Sequence, residues 1–103
     1  MVFNDINYGS IESFASHSTL HPKTILYLVA QSNNNQALFE QLVCKELKVK
    51  HTNSVLFYRG QVFKTKRDIA YLFGMSLTNF VDLTNMGKTI DEIVIWSQSS
   101  NIS

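Results

Sequence analysis

Apolar residues recur along this chain at two spacings, alternating in short stretches and stepping by three or four elsewhere, and the two spacings separate strands from helices. The later half is punctuated most clearly. Val55 to Tyr58 and Gln61 to Phe63 are β-prone runs divided by Arg59-Gly60, which predicts a tight hairpin with Gly60 supplying a positive φ. Thr65 is positioned to cap a short helix through about Phe73, with Ile69, Leu72 and Phe73 on its apolar face, and Gly74 ends it. Ser76 caps a second helix whose Phe80, Leu83 and Thr84 turn inward, with Gly87 just past its end. Thr89 starts a last helix, with Asp91 and Glu92 favoured in its first turn by the helix dipole and Ile90, Ile93, Val94 and Trp96 available to the core.

The earlier half repeats this order. An extended pair turns around Asn4-Asp5, a helix runs from Ser10 to about Ser18, and a second is entered through Pro22, whose missing N–H costs nothing at a first helical position. The polar stretch Ser32 to Gln36 reads as a loop, and Ala37 to about Lys48 as a third helix carrying Leu38, Leu42 and Cys44. A shift of 55 residues lays Phe14-Ala15 over Ile69-Ala70 and Leu20, Ile25 and Leu28 over Met75, Phe80 and Leu83. A shift of 52 then lays Leu38, Glu40 and Leu42 over Ile90, Glu92 and Val94. The fold class expected is mainly α with short β-hairpins (α+β), built as two similar units of a hairpin plus three helices. The units span 1–48 and 55–96, with a connector over 49–54 and a flexible tail over 97–103. The expected core comprises Phe14, Leu20, Ile25, Leu28, Ile69, Phe73, Met75, Phe80 and Leu83.

Within each unit the first two helices fit a helix-turn-helix, which needs a small residue where the helices cross and favours Gly in the turn. Counted from Lys66, the restricted positions hold Ile69, Ala70, Phe73, Gly74, Met75, Phe80 and Leu83, and all are suitable. Counted from Ile11, they hold Phe14, Ala15, Ser18, Thr19, Leu20, Ile25 and Leu28, with Ser18 replacing an apolar residue and Thr19 the glycine. The stretch Gly60-Gln61-Val62-Phe63, Asp68-Ile69-Ala70, Phe73-Gly74-Met75-Ser76, Phe80, and Gly87 followed by Thr89 to Val94 resembles a known family. It is similar to the small modular helix-turn-helix repeats attached to intron-encoded endonucleases and found in phage proteins. The resemblance implies a DNA-binding accessory, not a nuclease. It departs in the middle of the second helix, where the family usually has Arg or Lys and this chain has Val81-Asp82.

Composition narrows the function classes. The content is 45% hydrophobic and 17% charged over 103 residues, which is enough apolar material for a small folded core. The formal net charge is +1, so binding to nucleic acid has to come from a local patch. No apolar run is long enough to span a bilayer, Asp5 and Glu12 sit where a secretory signal would be basic and then apolar, and Cys44 is a lone cysteine; the expected location is cytoplasmic, with no membrane contact.

If the units read DNA, base edges are met by the second helices. The candidates are His21, Lys23, Thr24, Tyr27 and Gln31 in the first unit and Ser76, Thr78 and Asn79 in the second, with Asp82 opposing phosphate. The candidate phosphate contacts are Lys64, Lys66 and Arg67, and Lys45, Lys48, Lys50 and His51 in the connector; the alternative for the connector is ordinary solvated charge, which a helix end and loop carry in any case. His17 and His21 lack a third ligand, Cys44 has no assignable partner, and no phosphate loop or nucleophile motif occurs, so neither an enzyme nor a cofactor, metal or small-molecule substrate is expected. Leu26 and Val81 hold equivalent, outward-tending places and, with Trp96, form the candidate protein interface. The function expected is a DNA-binding module or small transcriptional regulator of phage or mobile-element type. The alternative is a protein-interaction adaptor or inhibitor, or a homodimer, on the same fold.

Overall fold

The computed structural model describes residues 1–100, and its order of elements is β1 (Val2–Phe3), β2 (Ile6–Asn7), α1 (Ile11–Ser18), α2 (Pro22–Ser32), α3 (Gln36–Glu46), β3 (Leu56–Tyr58), β4 (Gln61–Phe63), α4 (Lys66–Leu72), α5 (Leu77–Asn85) and α6 (Ile90–Ser100). The protein is therefore α+β, a hairpin and three helices followed by a second hairpin and three helices. Both hairpins are antiparallel and turn on two residues of positive φ, Asn4 and Asp5 in one and Arg59 and Gly60 in the other. That geometry matches the right-handed twist of the strands.

Corresponding starts recur. Ser10 caps α1 and Thr65 caps α4, each accepting from the backbone N–H three residues on, and α2 and α5 begin at Pro22 and Leu77. The turn between the first two helices passes through a left-handed residue in both halves, Thr19 (φ 66°) and Gly74 (φ 71°). At Gly74 the end is a Schellman motif, with Met75 N–H donating to Ala70 C=O and Gly74 N–H to Tyr71 C=O. At Thr19 the substitute is Ser18, buried, whose hydroxyl donates to Phe14 C=O at 2.7 Å. The polar residue at an apolar position is thus satisfied locally.

The third helices correspond differently from the sequence expectation. Their caps are Asn35 and Thr89, which places Leu38 at the level of Glu92 rather than Ile90 and Phe39 at the level of Ile93; Phe39 and Ile93 are buried, whereas Leu38 is exposed. The cap fixes the phase of the helix, and apolar matching two residues out of phase aligns the wrong faces. Leu20 and Met75 are half-buried, packed against the core rather than inside it, and Leu72 and Trp96 are exposed. The other expected core residues are buried. α6 continues past Trp96, with Ser97 buried and its hydroxyl donating to Val94 C=O, so the chain is helical where a tail was expected to begin. Residues 101–103 of that expected tail lie outside the described residues.

One aromatic cluster joins the halves. Phe3 lies 5.5 Å from Phe14 and 5.1 Å from Phe57 between ring centroids, and Tyr8 packs edge-on against Phe14. The Tyr8 hydroxyl donates to Phe57 C=O at 2.6 Å and accepts from Phe57 N–H at 3.1 Å. Burial pushes that phenol well above its ordinary pKa. Asn4, also buried, donates through Nδ2 to the carbonyls of Thr52 and Val55, which fastens the connector to the first hairpin. The molecule is long and narrow, 46 × 22 × 22 Å. Among the described residues no helix is long and apolar enough to cross a membrane.

Candidate nucleic-acid interface

A helix can present its first turns to a partner only if packing leaves them uncovered, and α2 and α5 meet that condition. α2 buries Ile25, Leu28 and Ser32, and leaves His21, Lys23, Leu26, Tyr27 and Gln31 exposed with Thr24 half-buried. His21 is its N-cap: Nδ1 accepts from Lys23 N–H at 3.1 Å, so that nitrogen is committed to the helix. α5 buries Phe80 and Leu83 and leaves Ser76, Thr78, Asn79 and Asp82 exposed. Ser76 Oγ accepts from Asn79 N–H at 3.1 Å, so as an N-cap it retains its hydroxyl hydrogen and one acceptor lone pair for a ligand.

The basic candidates lie at the start of α4. Lys64 and Arg67 are exposed, and Lys66 is half-buried with its Nζ 3.9 Å from Asp5 Oδ2, a loose pair worth little in solvent. Lys66 and Arg67 line one groove with Asn53, Ser54, Thr65, Leu77 and Val81, so the structure brings these two cations to the side of α5. That groove contains none of the α2 candidates.

The candidate protein interface is dispersed. Val81 is half-buried in that α4–α5 groove, while Trp96 lines a separate one with Leu83, Lys88, Glu92 and Ile95. Leu26 is open to solvent and lines neither, so it and Val81 are not gathered into one surface.

Other residues acquire roles that local sequence signals did not expose. His17 is buried between the halves: Nδ1 accepts from Arg59 N–H at 3.0 Å, Nε2 lies 3.2 Å from Asp91 Oδ1, and its carbonyl accepts from Gly60 N–H at 2.7 Å. Because Nδ1 accepts, the neutral ring carries its proton on Nε2 and donates to Asp91. The ring also stacks on Tyr58, 5.0 Å between centroids. Ser13 Oγ donates to the other oxygen of Asp91 at 3.1 Å. These partners are distant in sequence, and nothing local marks them. Cys44 is buried, and its thiol is pushed up to about 11 by burial and by the charge of Glu40, which holds it as the unreactive thiol near neutral pH. Among the described residues no three His, Cys, Asp or Glu side chains are gathered as a metal site. Compared with protein-family models, curated proteins and solved structures, the chain has no match.

Proposed function

We propose that this chain is a non-enzymatic DNA-binding module, a small cytoplasmic transcriptional regulator of phage or mobile-element type that reads a duplex with α2 and α5. The observation that carries the reading is the recurrence of one arrangement: in both halves a short helix, a left-handed turn and a second helix follow at corresponding positions, and the opening turns of both second helices keep polar side chains free of packing. Lys23, Thr24 and Tyr27 on α2 supply donors without a carboxylate among them, and Lys64, Lys66 and Arg67 supply cations for phosphate. The near-neutral chain requires that this patch carry the electrostatic part of binding.

A gel shift with mixed duplex DNA over a series of salt concentrations tests the reading. Arg67→Ala, the cleaner probe because Lys66 is loosely paired with Asp5, weakens binding to every sequence and lowers the salt slope by about one unit. Thr24→Ala changes the preference among sequences. A chain that shifts no duplex at low salt is not a DNA-binding module. A second reading, a protein-interaction adaptor, is favoured by the exposed apolar side chains of Tyr71 and Leu72 on α4 and of Ile95 and Trp96 on α6, which DNA contact leaves unused.

A further inference from the structure

The two units keep their charges in different places. A shift of 55 residues carries Glu12 at the start of α1 to Arg67 at the start of α4, and Lys23, Tyr27 and Gln31 on α2 to Thr78, Asp82 and Met86 on α5. All of these side chains are exposed, so none is fixed by the core. The first unit has its carboxylate ahead of the second helix and a cation, a phenol and an amide on it; the second has its cations ahead and a carboxylate and a thioether on the helix. Asp82 lies one turn beyond Thr78 and Asn79 on the same face of α5, so an approach that brings those two to a base edge brings a carboxylate toward phosphate. On α2 the same place beyond Lys23 and Thr24 holds Tyr27, which is uncharged and can donate. Lys66 and Arg67 share a groove with Asn53, Ser54 and Thr65 that no carboxylate lines, a setting suited to a phosphodiester.

The units are not related by a two-fold axis. Tyr8 and His17 of the first hold Phe57, Tyr58 and Arg59 of the second. A two-fold axis would repeat that contact with the roles exchanged and close Leu72, the counterpart of His17, under the first hairpin. Leu72 is 53% exposed, and Asn4, the counterpart of Arg59, is buried and bonded to the connector and to Glu40. Helix-turn-helix dimers read inverted repeats because the axis that relates their units matches the one that relates the two half-sites. Units joined through unlike faces, with different residues at the reading positions, impose neither an inverted nor a direct repeat on the duplex.

We infer that the duplex site of this chain is asymmetric: α2 selects one block of about 3 to 5 base pairs, and the second unit grips the backbone beside that block through Lys64, Lys66 and Arg67 without selecting sequence. The inference rests on the DNA reading and refines it, since it makes α2 the reader and α5 a docking helix. Lys23, Thr24 and Tyr27 then carry the preference among sequences, and the cations of the second unit carry affinity and its salt dependence.

Selection by the full chain from duplexes randomised over about 20 base pairs, longer than its 46 Å at about 3.4 Å per pair, tests it, followed by hydroxyl-radical footprinting of the selected site. One specified block is expected, with backbone protection extending past it on one side only. Tyr27→Ala, at an exposed position, alters the block. Arg67→Ala weakens binding to every duplex by about three- to tenfold and Asp82→Asn strengthens it, both with the block intact. Should Tyr27→Ala disturb the fold by circular dichroism, Lys23→Ala takes its place. An inverted repeat, a second specified block, binding with no block at all, or a block that changes with Asp82→Asn overturns the inference and leaves the DNA reading standing. Failure to retain any duplex at low salt overturns both.

Discussion

In the first half, the last turn of α1 holds His17, closed under the second hairpin with both ring nitrogens and its carbonyl engaged; in the second half, the last turn of α4 holds Leu72, open to solvent. The backbone around them is nearly the same, with a capped short helix, a left-handed turn and a second helix. The difference lies downstream in the chain. The first half has a second unit to hold, and uses Tyr8, Ser13 and His17 to hold it; the second half keeps the apolar residues Phe63 and Leu72 at the places of Tyr8 and His17. Repetition in this molecule resides in caps and turns, while the side chains between them are set by whether a neighbour arrives.

The largest effects fall where the halves agree. Ile25 and Phe80 occupy corresponding positions and are both fully buried. Phe80→Ala should cost about 3 to 5 kcal/mol and Ile25→Ala about 2 to 5 kcal/mol in urea unfolding. Because Phe3, Phe14 and Phe57 form one cluster across the halves, either change should lower a single cooperative transition. Two separate transitions would make the halves independent, and a loss below about 1 kcal/mol for Phe80→Ala would put that ring at the surface.

That shared core also marks the boundary of what the sequence discloses. Caps and turns are local chemistry, and Ser10, Pro22, Gly60, Thr65, Gly74, Ser76 and Thr89 each stand where their side chains or φ angles predict a helix start or a turn. Leu38 and Leu72 read as buried from their spacing and are exposed, for two reasons. The apolar pattern of an eleven-residue helix tolerates a shift in phase, and Leu72 lies on a face of α4 that stays open to solvent. For the candidate interface, exposure of Lys23, Tyr27, Asn79 and Arg67 follows from helical phase once the core face is known. The commitment of His21 Nδ1 and Ser76 Oγ to capping follows from the same rules. The roles of Tyr8, His17 and Asp91 do not, because each is defined by a partner in the other half.

Tyr8 sharpens the contrast at intermediate size. Tyr8→Phe gives the first half the residue that the second carries as Phe63, and changes no packing volume beyond one oxygen. It leaves Phe57 N–H and C=O, both held by that hydroxyl, without their partner in a buried place. Loss of about 2 to 3 kcal/mol is expected, since an unsatisfied buried backbone group costs more than an ordinary hydrogen bond contributes. A change within about 0.5 kcal/mol would show that water reaches Phe57 and that the seam between the halves is wet.

The smallest effect concerns the turn, where the halves reach one backbone shape with different residues. Thr19 adopts φ 66° and Gly74 φ 71°. A β-branched residue in the left-handed region costs about 1 to 2 kcal/mol relative to glycine, whereas glycine gives back about 0.5 to 1 kcal/mol through the freedom it adds to the unfolded chain. Thr19→Gly should therefore stabilise the protein by less than about 1 kcal/mol, and Gly74→Ala should destabilise it by about 1 kcal/mol, both read as shifts in the urea midpoint at constant slope. The Thr19 methyl also lies beside Gly60, 3.0 Å from where a Cβ there would stand, so part of the gain at Thr19 is offset by a lost contact with the second hairpin. If Thr19→Gly instead destabilises by more than about 1 kcal/mol, that contact outweighs the backbone strain. Thr19 then belongs with Tyr8 and His17 among the residues that hold the second half in place, and the two turns differ in purpose as well as in residue.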